Sequence, residues 1–452
     1  MTVKGLPEAG AGARSRCNVL GVCLLTCLLL GGATQRGLLI DAVLQTMVIA
    51  GSTYVLLGGI ASGATRRGAI LLALVLAAGA MQVLPLPVSL LELSRPAELL
   101  PFAGGSSTQP IEAAPISLSV SRTVEAVIFA LVPILFFTAA SNLPQRGPSG
   151  LLPFFVIGLI CNLIAAGLQY SFSNNATLDN ILGYSVMVGM FANVNHFSTL
   201  VFSSLPLIIY IGFFQGRPAF VSMLLMLIFV VLLAAGSRAG ILLGFGVAAI
   251  SIGALMWRGR VGTVAMITLL AGFIIYGYGA LIRVGARQLD PDFGRWEFAV
   301  TTWRAIRDNW IWGAGFGTFD LIYPFYEDTN MVHVLYVNHA HNDFLELLLE
   351  GGVAAATILC IYLAALAMRT FQVANRPLQR MVLLSIVVVL LHSLFDYPLR
   401  TLAIAMTFAF FNALFFSNAR LKPAAERYAA SGDGSCEREE ILPPGTAAAG
   451  QP

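Results

Sequence analysis

Apolar runs about 20 residues long recur along almost the whole chain, separated by short breaks rich in Gly, Pro, Ser or Arg. No alternation of apolar and polar positions in runs of about 10 residues is present, so a β-barrel is not the reading. The pattern predicts an all-α, polytopic integral membrane protein with about twelve spans. They fall near 17–34, 38–60, 68–84, 121–141, 150–170, 195–214, 219–235, 239–256, 262–282, 343–368, 379–396 and 400–418. Three connections are longer than turns: 85–120, 171–194 and 283–342, the last lying between the ninth and tenth spans. The first two read as irregular, polar or Pro/Ser/Gly-rich segments.

Composition agrees. The chain has 452 residues, of which 57% are hydrophobic and only 11% charged, and its mean hydropathy is +0.81. The net charge of +3 gives no reason to expect a nucleic-acid partner. Lys and Arg fall mostly between apolar runs and so carry topology. With the N-terminus in the cytoplasm, the inside receives the leader (Lys4, Arg14, Arg16), Arg66, Arg67, Arg146, Arg217, Arg258, Arg260, Arg369, Arg376, Arg380 and the basic residues of the tail. An even number of spans then returns the C-terminus to the cytoplasm. The expected organisation is a leader over 1–16, one transmembrane domain over 17–418, and a disordered cytoplasmic tail over 419–452. The six cysteines show neither zinc-site spacing nor a disulfide framework.

The chemistry-bearing residues gather on the outer side of this topology. Asn338 to Ala356 starts in a polar segment with His339 and His341 and runs into an apolar helix bearing Glu346 and Glu350. An imidazole titrates near neutral pH, so His341 can take a proton from a hydroxyl. Asn342, Glu346 and Glu350 are four apart and share one helical stripe. Glu350 lies about 12 Å along the helix from His341, too far for the same reacting atom, and is expected to pair with a basic residue of the bundle. His392 and Asp396, again four apart, read as a local pair. Gly236 to Gly240 places Arg238 between small residues, where backbones pack closely and a guanidinium can meet phosphate.

The long loop contributes more. Trp296, Trp303 and Trp310 are seven apart and predict an amphipathic helix in the outer membrane interface, holding Arg295 and Arg307 near the head groups. The glycines of GAGFGTF (313–319) lack the strand and the lysine of a phosphate loop; they read as a turn that lets backbone approach a ligand. His333, His339, His341 and Asp343 do not complete a metal site by spacing, and none is expected.

Five pieces taken together resemble the O-antigen ligase / O-antigen polymerase superfamily of polytopic membrane glycan transferases. They are NVNH (193–196), SRAG (237–240), GRWEFAVTTWRAIRDNWIWGAGFGTF (294–319), HNDFLELLLEGGVAA (341–355) and HSLFDYPL (392–399), covering roughly 195–415. Ala355 stands where that family's second helix glycine is found. The resemblance implies a multi-pass protein of the bacterial inner membrane, working on its periplasmic face without metal or other cofactor. Its donor would be a glycan on undecaprenyl diphosphate and its acceptor a hydroxyl of a glycolipid or glycan. By resemblance Arg238 and Arg295 would hold the departing diphosphate and His341 would serve as the base, with inversion at the anomeric carbon. Asn342, Glu350, Arg307, His339 and Asp396 are expected to support them. Other relatives glycosylate proteins, which is an alternative acceptor class. A solute carrier using Asp41, Glu125 and Glu350 is the alternative from another class, but no inverted repeat is seen.

Overall fold

The structure is a computed structural model of the chain, and it describes residues 8–35, 37–59, 63–96, 99, 112–144, 147–171, 188–214, 218–256, 292–328 and 337–417. The elements are mostly helical: α1 (Glu8–Leu30), α2 (Leu39–Leu57), α3 (Gly63–Val83), α4 (Val120–Ser141), α5 (Leu152–Ser171), α6 (Val194–Phe214), α7 (Pro218–Ala235), α8 (Arg238–Met256), α9 (Asp292–Asn309), α10 (Phe319–Ile322), α11 (Asp343–Gln372), α12 (Pro377–His392) and α13 (Leu402–Phe416). Among the described residues seven helices are long and apolar enough to cross a membrane, and α7, α8, α12 and α13 are shorter apolar helices. They coincide with the expected spans, except that the expected ninth (262–282) lies outside the described residues, as do most of 171–194 and the tail.

Burial divides the helices into two kinds. Almost all of α6 is enclosed, with α7, α8 and α12 packed around it. It can therefore carry His196, Ser198, Thr199, Ser203 and Ser204, all fully buried, which a lipid-facing helix could do only at a cost. The helix α13, against α1, α4 and α12, is equally enclosed but nearly all apolar. By contrast α2 and α3 leave Val43, Leu57, Ile70 and Leu76 exposed, the surface expected of helices that face lipid.

Two expectations are corrected. Residues 85–120 are not irregular throughout: β1 (Pro85–Pro87) and β2 (Ala113–Pro115) form an antiparallel pair with Pro85 opposite Pro115. The helix α11 is not one continuous span. It breaks at Gly352, with φ 53° and ψ −139°, a backbone that only glycine adopts without strain. The 353–372 part runs about 30 Å at 1.5 Å per residue, enough to cross a bilayer by itself. The 343–351 part thus forms a separate half-helix at one end of the bundle.

The break exposes backbone groups, and the 311–315 segment satisfies them. Ala314 and Gly315 N–H donate to the carbonyls of Leu349 and Glu350 at 2.9 Å each, Val353 N–H donates to Ile311 O at 3.1 Å, and Gln82 Nε2 donates to Glu350 O at 2.8 Å. A Cβ on Gly352 would sit 2.5 Å from Ile311 O, and one on Gly313 would collide with Glu350 O. The GAGFGTF glycines therefore approach a broken helix of the chain itself; the expectation that they serve a ligand is replaced by this docking role.

Candidate functional site

The half-helix puts its N-terminus at the same end of the bundle as the start of α6, the end of α7, the start of α8, the end of α12 and the start of α13. Asn342 caps it: Oδ1 accepts from the N–H groups of Phe344 and Leu345 at 3.0 Å each. Its Nδ2 donates to Leu394 O at 2.9 Å, tying the cap to the α12–α13 connection. Asp343 adds to the same tie, accepting from Ser393 Oγ at 2.8 Å and Leu399 N–H at 3.2 Å.

His341 sits just before this cap with φ 50°, the one non-glycine positive φ among the described residues. Backbone in this region is uncommon outside glycine and is kept only where surroundings over-determine it. The surroundings here are explicit. Its ring lies 5.5 Å from Phe298 and 5.0 Å, edge-on, from Tyr397. Its Nδ1 is 3.1 Å from His339 O. A carbonyl only accepts, so Nδ1 carries the hydrogen and, in the neutral ring, Nε2 keeps its lone pair. Burial is the largest influence on this imidazole and lowers its pKa from 6.5; Asp396 opposes that effect and Arg295 adds to it.

His339 is held rather than offered. Its Nδ1 is 2.8 Å from Glu346 Oε1, its ring stacks on Tyr397 at 4.2 Å, and Glu346 Oε2 accepts Ala340 N–H at 2.9 Å. One buried carboxylate thus fixes both sides of the His339–His341 turn. Glu346 and Glu350 are both anchored by Arg400, whose Nη1 lies 3.1 Å from Glu346 Oε1 and 3.0 Å from Glu350 Oε2; its Nε is 3.8 Å from Asp343 Oδ1. Burial works against the charge on Arg400, but the three carboxylates outweigh it and hold the guanidinium protonated. The expected basic partner of Glu350 is therefore Arg400.

Arg295, in the first turn of α9, reaches the same end. Its Nη1 donates to Phe395 O at 3.1 Å, and Nη2 lies 3.8 Å from Asp396 Oδ2. Asp396 is fully buried, with Oδ1 3.6 Å from His196 Nε2. Burial opposes its charge, but His196, His392 and Arg295 together keep its carboxyl well below the usual range. The expected local pairing of His392 with Asp396 is not what forms: His392 Nδ1 faces Thr199 Oγ1 at 2.8 Å, and the carboxylate faces His196 and Arg295.

The SRAG segment adjoins this region through its serine. Gly236, at φ 71°, turns the chain; Ser237 Oγ accepts Gly240 N–H at 3.1 Å and donates to Asn195 Oδ1 at 2.9 Å. A Cβ on Gly240 would meet Ser198, so the close packing expected of these small residues is present. Arg238 opens α8 with its side chain exposed. Arg307 is also exposed, but it stands about 18 Å beyond Arg295 along α9, so the two do not meet one small group. Trp296, Trp303 and Trp310 are exposed as a heptad face, the arrangement expected of an interfacial helix.

Residues 222–360 match the family model for O-antigen ligase. The match supports the O-antigen ligase/polymerase superfamily over that part of the chain. Within the match lie Arg238, Arg295, Arg307, His339, His341, Asn342 and Glu350; Asp396 and Arg400 fall beyond it and reach the site through packing. The match supports an O-antigen ligase-like or polymerase-like role in glycan transfer, and together with the apolar helices it points to a bacterial inner membrane protein. No curated protein matches the chain. Among the described residues no three His, Cys, Asp or Glu side chains converge as a metal site, and His333 lies outside them.

Sequence reasoning did not give Arg400 or Tyr397 a part in the candidate site, and it placed Glu346 on the helical stripe without a role. A signal existed for the first: three acids within eight positions of an apolar helix demand a cation nearby, and Arg400 follows the last quoted motif directly.

Proposed function

We propose that the chain transfers a glycan from undecaprenyl diphosphate to an acceptor hydroxyl at the periplasmic face of the inner membrane, in one inverting displacement without a metal. The observation that carries this reading is that His341 and Arg295 meet the same elements: the His341 ring lies 5.5 Å from Phe298, on the helix that bears Arg295, and 5.0 Å from Tyr397, next to the Asp396 that Arg295 faces. A neutral imidazole with Nε2 free to accept lies in the field of a guanidinium whose side chain remains 34% exposed.

The step divides between them. His341 Nε2 takes the proton of the acceptor hydroxyl as its oxygen attacks the anomeric carbon. The bond from that carbon to the diphosphate oxygen breaks, and the negative charge moves onto the diphosphate. Arg295 and Arg238 meet that charge, which is greatest as the bond breaks. Arg307, farther along α9, serves lipid head groups. Asn342, Glu346 and Arg400 hold the turn that aims His341, and Asp396 holds Arg295.

The direction of the site is supported by charge. At the opposite end of the bundle Arg16 donates to Gly58 O at 3.0 Å, Arg67 lies 5.4 Å from the Phe416 ring, and Arg369 donates to Phe415 O at 3.2 Å. Arg16, Arg67 and Arg369 at the end away from His341 agree with a cytoplasmic face there and a periplasmic site at the other end.

Deleting the gene in its native host and running surface lipopolysaccharide beside extracted undecaprenyl-linked glycan tests the proposal. Loss of surface glycan with long glycan accumulating on undecaprenyl assigns a ligase. Loss with single repeat units accumulating assigns a polymerase. No change in either pool, nor in secreted polysaccharide, overturns both.

A further inference from the structure

One tyrosine ring touches three histidines. Tyr397 stands in the connection between α12 and α13 and is 5% exposed. His339 stacks on it at 4.2 Å, His341 meets it edge-on at 5.0 Å, and His196 meets it edge-on at 4.8 Å. Aromatic rings about 4.5–7 Å apart attract in edge-on and offset arrangements, so this ring is held on several sides. Pro398 disfavours the α conformation in the residue before it, and Tyr397 leaves the helical path with φ −122° and ψ 50°.

The same residue reaches the other half of the site through its backbone. Its N–H donates to Asp396 Oδ1 at 2.9 Å, and Oδ2 of that carboxylate lies 3.8 Å from Arg295 Nη2. His341 also meets Phe298 at 5.5 Å, three positions after Arg295 on α9 and so on the same side of that helix. An arginine and an aromatic ring on α9 thus oppose an aspartate and an aromatic ring on the α12–α13 connection, with His341 touching both rings. Phe298 is half-buried and Tyr397 buried, which makes Tyr397 the less movable wall.

The Tyr397 hydroxyl is not suited to the chemistry itself. It hydrogen-bonds to the side chains of Asn193 and Asn338, and burial, aided by Asp396, pushes its pKa up to about 12. It therefore keeps its proton near neutral pH, and the ring is what remains to act. His341 Nδ1 is tied to His339 O at 3.1 Å, but a bond through one ring nitrogen leaves the imidazole free to turn about it. A wall against the ring stops that turn. We propose that Tyr397 is a positioning residue for the displacement: its ring fixes the direction of His341 Nε2, and its N–H holds the carboxylate that faces Arg295. This rests on the glycan-transfer reading and adds to it the residue that keeps the base and the anion-binding arginine in one register.

The test uses the full chain in nanodiscs. Tyr397→Phe keeps the ring and the N–H and loses only the hydroxyl. Tyr397→Met and Tyr397→Leu keep the N–H and refill much of the volume without a ring. The charged or titratable groups that face His341, namely Asp396, Arg295 and His339, are intact in all three. His341 is titrated by NMR on protein with isotope-labelled histidine, its signal identified by its loss in His341→Ala. Transfer is measured beside it against acceptor and donor concentration across pH. The phenylalanine variant should match wild type in both. In the methionine and leucine variants water reaches the imidazole, so its titration and the acid limb of transfer should both move up toward 6.5. Their kcat should fall about 10²-fold from the misplaced base, with half-saturating donor unchanged because the N–H still holds Asp396. An unmoved titration in both ringless variants overturns the proposal. So does a loss in Tyr397→Phe as large as theirs, or failure of both ringless variants to fold, since the ring would then serve the bundle and not the imidazole. A titration that moves as expected in a protein that transfers nothing upholds Tyr397 as the residue that sets His341 and sinks the transferase reading.

Discussion

Two arginines at the same end of the bundle are placed in opposite circumstances. Arg400 is 22% exposed and surrounded by Asp343, Glu346 and Glu350. Arg295 is more open, at 34%, with Asp396 Oδ2 at 3.8 Å and Phe395 O at 3.1 Å. The first is electrostatically saturated: another anion there would face three carboxylates. The second keeps about a third of its side chain open to solvent. A guanidinium near a candidate site therefore says little until its surroundings are known. Here the ring of acids about Arg400 and the openness of Arg295 separate a residue that builds the site from one an anion can reach.

Breaking each centre should give different losses. Arg400→Ala leaves two or three buried acids uncompensated and should cost about 3–5 kcal/mol of stability. The check is the thermal midpoint of the purified protein, which should fall sharply together with transfer. Arg295→Ala should leave that midpoint nearly unchanged while transfer falls by about 10²–10³, the size expected for removing one stabiliser of developing charge. Equal losses of stability in the two variants would erase the distinction drawn here.

A smaller effect is expected where the half-helix meets its dock. Gly352→Ala forces a side chain into a positive-φ backbone against Ile311 O, with strain of about 1–3 kcal/mol beyond the contact itself. Its midpoint should drop, but less than that of Arg400→Ala. Smaller still is a shift in pH dependence. The neutral form of His341 is the active one, so transfer should be present above its pKa and lost as pH falls through it. Because burial lowers that pKa, the acid limb should lie below 6.5. Phe298→Ala admits water to the ring and should move the limb upward, which a pH–rate profile reads directly. The least change is expected from Trp303→Ala on the exposed face of α9, within about 0.5 kcal/mol in stability.

The sequence made most of the helices legible because each apolar run is long enough to declare itself without its neighbours. The break in α11 was hidden for the same reason: apolar residues continue past Gly352, and the kink is stabilised by a segment about forty residues earlier. GAGFGTF shows three glycines, but not that their partner is the backbone of Leu349 and Glu350. His341, Arg295 and Arg238 were read from motifs. The acids around Arg400 lie near one another in sequence, but their cation arrives from the start of another helix, which local pattern does not show.

The central claim, that His341 and Arg295 carry out one displacement together, is tested most directly by the rate of glycan transfer from undecaprenyl-diphosphate-linked donor by wild type, His341→Ala and Arg295→Ala in nanodiscs. The account predicts correctly inserted proteins with equal thermal midpoints and transfer reduced at least a hundredfold in both variants. Wild-type rates in either variant would contradict it and remove that residue from the chemistry.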